Sequence, residues 1–382
     1  MNASRLREIL ELLIQSESKY KIQEVLGKVN GHLNEIVSAP QEPEHQKNFA
    51  ETLERLRKSM NGMVATFEPA QIDLFTEIGA DKYFVSDIPG DIVQSVRDNP
   101  ITPTVAKDYV GQFLAERQSY LSEINQLRDN LEKIGIVVSE LEEGTAEIGF
   151  LIPRELFEDE FDQFIKQLAV INRIIREFSE AATGSAQEIK VRQISSSDPL
   201  LFLGLDPITI GMIGATITWA LDLWKRVKEI RGLRVTASKI PEFKEAELKF
   251  FDDKIKTTIA AEIKTKAIEL QGLAKDNDSR TPEERHTHIT WVLETLLALV
   301  ERGLKVEIRS LPPPPMPEDA EDPEAAIRLA FKKLNETIPQ LVFPEVEGSP
   351  VLELPPPEPP PESTAKAEVK PARPAKRKSS KT

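Results

Sequence analysis

Four histidines are the first residues to test for chemistry: His32, His45, His286 and His288. The last two stand two positions apart near the start of an expected helix. That spacing places them roughly 200° apart around its axis, so one ion does not bridge them. Glu283 and Glu284 stand beside them without a recognised metal-ligand spacing. The expected role is a pair of surface histidines, with no metal site and no cofactor. Cysteine is absent, which removes disulfides, thiolate metal ligands and a cysteine nucleophile together. G-x-S-x-G, H-E-x-x-H and a phosphate-cradling glycine loop are also missing. Carboxylates are plentiful, but no spacing pairs two of them in a pocket, and solvated helix faces account for most. No catalytic residue is assigned.

Charge narrows the partners. The chain has 382 residues and a formal net charge of −14. Residues 366–382 carry +6, so the remainder carries −20. Phosphate contact needs a basic surface, which argues against nucleic-acid binding except weakly through Lys376, Arg377 and Lys378 at the basic end. The first residues carry Arg5, Arg7, Glu8 and Glu11 without an apolar run, which argues against a secretory signal. A cytoplasmic setting is expected, in keeping with the cysteine-free sequence.

Elements follow from periodicity. The most regular segment is 156–182, where Phe157, Phe161, Phe164, Leu168, Ile171, Ile175, Phe178 and Ala182 alternate in steps of four and three. That is a heptad seam, built to lie along other helices. Similar stripes occur at Ile22, Leu26, Val29, Leu33 and Ile36, and from Phe49 to Phe67. Another runs from Val110 to Ile134, where Arg117 interrupts as a register-setting residue. A fourth, in the helix expected at 242–275, runs from Leu248 through Ile255, Ile259 and Ile263 to Ala274. A helix beginning at Pro282 is announced by a capping box, Thr281 with Glu284. Strands are expected at 136–141 and 145–152 as a hairpin, at Ile189 to Ile194, and at Leu304 to Ile308. The last is a candidate to return to the same sheet.

The fold class is therefore α+β and predominantly helical. Residues 1–133 form a helical N-terminal region. Residues 134–240 form a small β-β-α-β unit followed by an apolar helix, and 241–311 a helical hairpin with a short strand. Residues 312–382 hold 17 of the 28 prolines and read as a disordered tail. One island, 322–339, carries a helical stripe of Ile327, Phe331, Leu334 and Ile338. These four residues are candidate partner anchors for a helix-in-groove contact, with a helix packed back on the body, or one that never forms, as the alternatives.

The apolar stretch Pro207 to Leu221 is 15 uncharged residues, short of the ~20 of a spanning helix. Ile208, Gly211, Ile213, Gly214, Trp219 and Trp224 mark it as a buried core helix. Its alternatives are a membrane-surface helix and a subunit interface. The functional expectation is a non-enzymatic interaction, adaptor or scaffold protein with a protein partner, and with self-association as an extension. The alternatives are a peripheral membrane component acting through 207–224, and an enzyme whose pocket is assembled from distant residues.

Overall fold

The computed structural model describes residues 3–138, 141–195, 199–240, 245–275, 281–315, 325–346, 350 and 352–356. The basic end and the proline runs beyond Pro356 lie outside the described residues. So do residues 276–280, between the helices expected at 242–275 and from Pro282. The fold is α+β and predominantly helical, with one small antiparallel sheet.

Seven helices come first: α1 (Ala3–Tyr20), α2 (Ile22–Ser38), α3 (Pro43–Val64), α4 (Pro69–Glu77), α5 (Asp81–Phe84), α6 (Ile88–Asp98) and α7 (Pro103–Lys133). Their stripes meet in one core. Leu26, Val29 and Leu33 of α2 lie with Leu56, Met60 and Met63 of α3 and Val110 of α7. The break between α1 and α2 falls at Lys21, whose φ of 52° turns the chain. Arg117 is fully buried in this module. It donates to Glu17 Oε2 at 2.6 Å, Gln23 Oε1 at 3.1 Å and the Tyr83 carbonyl at 3.3 Å. The residue that interrupts the α7 seam thus ties four helices into register.

The second module has its own core. Its elements are β1 (Thr145–Leu151), α8 (Phe161–Thr183), β2 (Lys190–Ser195), β3 (Leu200–Leu205), α9 (Pro207–Ser238), α10 (Glu245–Leu273), α11 (Pro282–Glu301), β4 (Lys305–Leu311) and α12 (Ala325–Thr337). The strand order is β2-β3-β1-β4, all antiparallel. Strand β4 returns to the sheet as its sequence suggests. Among the described residues the expected hairpin is absent: Ile136, Val137 and Val138 are not in a strand, and Val137 is exposed. The partner of β1 opposite β4 is β3, a strand that the sequence reading did not assign, just before the expected apolar helix. Alternation places Ala146, Ile148 and Phe150 of β1 toward the helices, together with Leu203 and Ile308. Glu147, Gly149 and Leu151 take the opposite face.

Helix α9 is the centre of this module. Asp206 caps it, its Oδ1 accepting from the Ile208 and Thr209 amides at 2.8 and 3.4 Å. Ile213 and Gly214 are buried, as is Trp224; Ile208, Gly211 and Trp219 are partly covered. The helix packs against α8, α10, α11 and α12, which is the core-helix expectation. No helix among the described residues is long and apolar enough to cross a membrane.

Two boundaries differ from the sequence expectation. Helix α8 starts at Phe161 rather than near 156, after a short 3-10 turn and two residues, Glu158 and Asp159, with positive φ. The chain also stays on the body well past Leu311. Helix α12 packs on α9, and residues near Leu352 are held by α11: the Leu352 amide donates to Glu301 Oε2 at 2.9 Å. The Trp291 indole donates to the Pro356 carbonyl at 2.9 Å. An extended proline-rich segment keeps its carbonyls available, and side chains of the body donate to them.

Candidate binding site at the seam of the two modules

The sheet face turned away from the helices of its own module is covered by α1 and α4 of the first. On this face Phe202 of β3 lies beside Gly149 of β1, which lies beside Glu307 of β4. Gly149 leaves room for the Phe202 ring: a Cβ there would stand 2.7 Å from Phe202 Cε1. Next to this row, Arg309 extends over Phe202, its guanidinium 5.6 Å from the ring centre.

Arginines and carboxylates from both modules converge here. Arg309 donates to Glu147 at 2.9 Å and to both Glu8 oxygens at 3.0 Å. Arg5 of α1 donates to Glu8 at 2.9 Å and pairs with Glu307. Further along the seam, Lys305 donates to Asp73 of α4 at 2.6 Å. Partners in these pairs lie up to 302 residues apart in the chain.

The clasp carries more acid than base. Glu8, Glu68, Glu147 and Glu307 face two guanidiniums, Arg5 and Arg309. Burial pushes the Glu307 carboxyl above its ordinary range, Arg5 and Arg309 oppose this, and Glu8 adds to it. Burial and the nearby Glu307 push Glu68 up as well. A carboxyl raised in the folded state holds its proton more tightly folded than unfolded, so its ionisation penalty is largest above the raised value. The penalty fades as pH falls toward the ordinary value of 4.5. Glu307→Gln removes this titration. In thermal melts the variant should therefore gain on the wild type as pH rises from 4.5 toward neutrality. A gap that shrinks over that range would contradict the assignment.

Beside the clasp is a cavity of about 250 Å³. Ile72 and Leu74 of α4, Leu151, Phe202 and Val306 of the sheet, and Phe343 line its apolar part. Lys305 and Asp73, at 37% and 55% exposure, reach solvent in its lining together with Glu77 and Val342, and Arg5, Gln193 and Glu307 complete its polar part. An apolar hollow with few polar groups at a module junction has the character of a small-molecule site. On the other side of Glu307 lies a more polar hollow reached by Glu68 and Ser310.

The residues singled out from sequence lie elsewhere. Phe331, Leu334 and Ile338 of the tail island are buried in the core of the second module, with Ile327 packed against it. In this arrangement those anchors grip α9 rather than a separate groove. His288 is partly buried, not at the surface: its Nδ1 lies 3.0 Å from Glu177 Oε1, which also pairs with Arg173 at 2.8 Å. His32 and His45 both approach Glu35, at 2.9 and 3.5 Å. No metal-holding group of three or more His, Asp or Glu occurs among the described residues. Sequence reasoning missed Arg5, Phe202, Glu307 and Arg309. The one signal was the polar half of the β4 alternation, Lys305, Glu307 and Arg309, which looks like any solvated strand face until α1 and α4 cover it.

No family model, no curated protein and no solved structure matches this chain.

Proposed function

We propose that this is a binding protein rather than a catalyst, acting as an interaction or scaffold component whose recognition site is the seam cavity. A cytoplasmic setting belongs with this reading. The ligand is small and amphipathic: its apolar body lies against Phe202, Leu151 and Ile72, and an anionic end lies at Lys305. One observation carries the reading: a mostly apolar cavity at the module junction whose exposed rim holds the Lys305–Asp73 pair beside Glu77. The charges around it support binding over chemistry. Glu8, Glu147, Glu307 and Asp73 are each held by an arginine or lysine. A carboxylate so held serves as a structural partner instead of a base open to substrate.

A ligand bound across the seam touches both modules and stabilises the folded chain in proportion to its occupancy. Hexanoate, octanoate and decanoate, each with its matching alcohol, supply the probe series. The carboxylates should raise the melting temperature, at saturation by an amount equivalent to roughly 2.7 kcal/mol at a hundred times Kd. Lys305→Ala should erase the preference for acid over alcohol. Val342→Trp, a change at an exposed lining residue, should fill the cavity and remove both responses. Wild-type melts that ignore every member of the series would reject the reading.

A further inference from the structure

The heptad seam of α8 is covered along only half of its length. Toward its end Ile171, Ile175 and Phe178 are buried in the core. Toward its start Phe161 is 73% exposed and Ile165 47% exposed, while Phe164 and Leu168 line an open apolar groove of about 360 Å³. The floor of that groove is the outer strand β2. Val191 and Ile194, three residues apart, would face opposite sides of a regular strand. The register against β3 shifts between Val191 and Gln193, so both turn toward α8, and both are exposed, at 59% and 67%. Val191 and Ile194 thus line the groove with Phe164 and Leu168, and α8 adds exposed Phe161 and Ile165 one turn before Phe164 and Leu168.

The charges along α8 indicate what covers it. Asp162 stands in its first turn, with Glu158, Asp159 and Glu160 just before it. Lys166, Arg173 and Arg176 follow. A parallel copy of the same helix would set acid against acid. An antiparallel copy centred near Gln167 sets Asp162 beside Arg173, Glu158 opposite Arg176, and Ile165 opposite Ala169. Self-complementary charge on an apolar face is what a two-fold contact requires, because each patch must recognise itself.

We propose that the α8–β2 face is a homodimer interface, closed by antiparallel packing of α8 from a second copy of this chain. This goes beyond the seam-cavity reading and does not depend on it. Light scattering after size-exclusion chromatography of the full chain, over a dilution series, reads the result directly. The wild type should run as a dimer that dissociates on dilution. Ile165→Lys and Ile194→Lys should each weaken association by roughly tenfold or more, since central apolar anchors dominate such contacts. Both positions are exposed in the single chain, so an unchanged tryptophan-fluorescence unfolding transition will confirm that the monomer stays folded. Glu158→Arg should weaken the dimer by juxtaposing like charges, and Glu158→Arg combined with Arg176→Asp should restore it. A wild type that stays monomeric throughout the series would overturn the proposal and assign the face to another occupant. A dimer indifferent to all these substitutions would overturn it equally.

Discussion

Replacing Arg117 with Leu should destabilise the helical module by about 3–5 kcal/mol, the scale for breaking a buried ion pair from one side. Arg117 is 0% exposed, and its guanidinium serves α1 through Glu17, α2 through Gln23 and α5 through the Tyr83 carbonyl. It also lies 5.1 Å from the Phe84 ring centre. Glu17 has a second task, accepting from the Gln23 amide at 2.8 Å just after the break at Lys21. Leucine fills much of the space but strands a carboxylate, a side-chain amide and a carbonyl. Arg117→Lys should recover only part of the loss, because an ammonium does not reach three partners in the geometry of a planar fork. The three tryptophans, Trp219, Trp224 and Trp291, all belong to the second module. Far-UV circular dichroism in urea will therefore show the loss, while the tryptophan transition stays near its wild-type midpoint. A change below about 1 kcal/mol would show that Arg117 is not the tie described here.

Truncating Leu334 to Ala should lower the stability of the second module by about 2–5 kcal/mol, and Phe331→Ala by about 3–5 kcal/mol. Leu334 is fully buried and Phe331 is 2% exposed. Helix α12 comes so close to α9 that a Cβ on Gly214 would stand 3.1 Å from Thr337 Cγ2 and 2.9 Å from Ile308 Cδ1. The tryptophan transition in urea reads this directly, since Trp224 lies in the same core. If α12 were instead held out to a partner, both truncations would act as surface changes, within about 0.5 kcal/mol. The two outcomes are several-fold apart, so one pair of unfolding curves separates a core helix from a displayed one.

The seam makes the same point about distance in the chain. Glu307 reads as one polar residue in an alternating strand. Its environment is decided by Arg5, 302 residues earlier, and by α4, which together convert a solvated face into a buried clasp. The mutual approach of Glu68 and Glu307 is likewise a property of two modules meeting and leaves no trace in local spacing.

What the sequence determined by itself was local. The stripes of α2, α3, α7 and α10, the Thr281–Glu284 capping box, and strands β1, β2 and β4 follow from periodicity and cap chemistry. These depend on residues within a turn or two of each other. Arg117 could be picked out because it breaks an otherwise apolar seam. Where both faces of an element are buried, that logic loses its contrast. Leu200–Leu205 is apolar throughout because Leu201 and Leu203 face the helices while Phe202 faces the seam, so β3 shows no alternation and was not expected as a strand. Conversely, Ile136 to Val138 has strand-forming residues but no neighbouring strand, and β-branching alone does not make a sheet. Tertiary structure decided which stripes found cover: α12 folded back onto α9, half of α8 stayed open, and two separately cored modules closed on a cavity. Burial is settled by where a second surface arrives, and that information is spread over hundreds of residues.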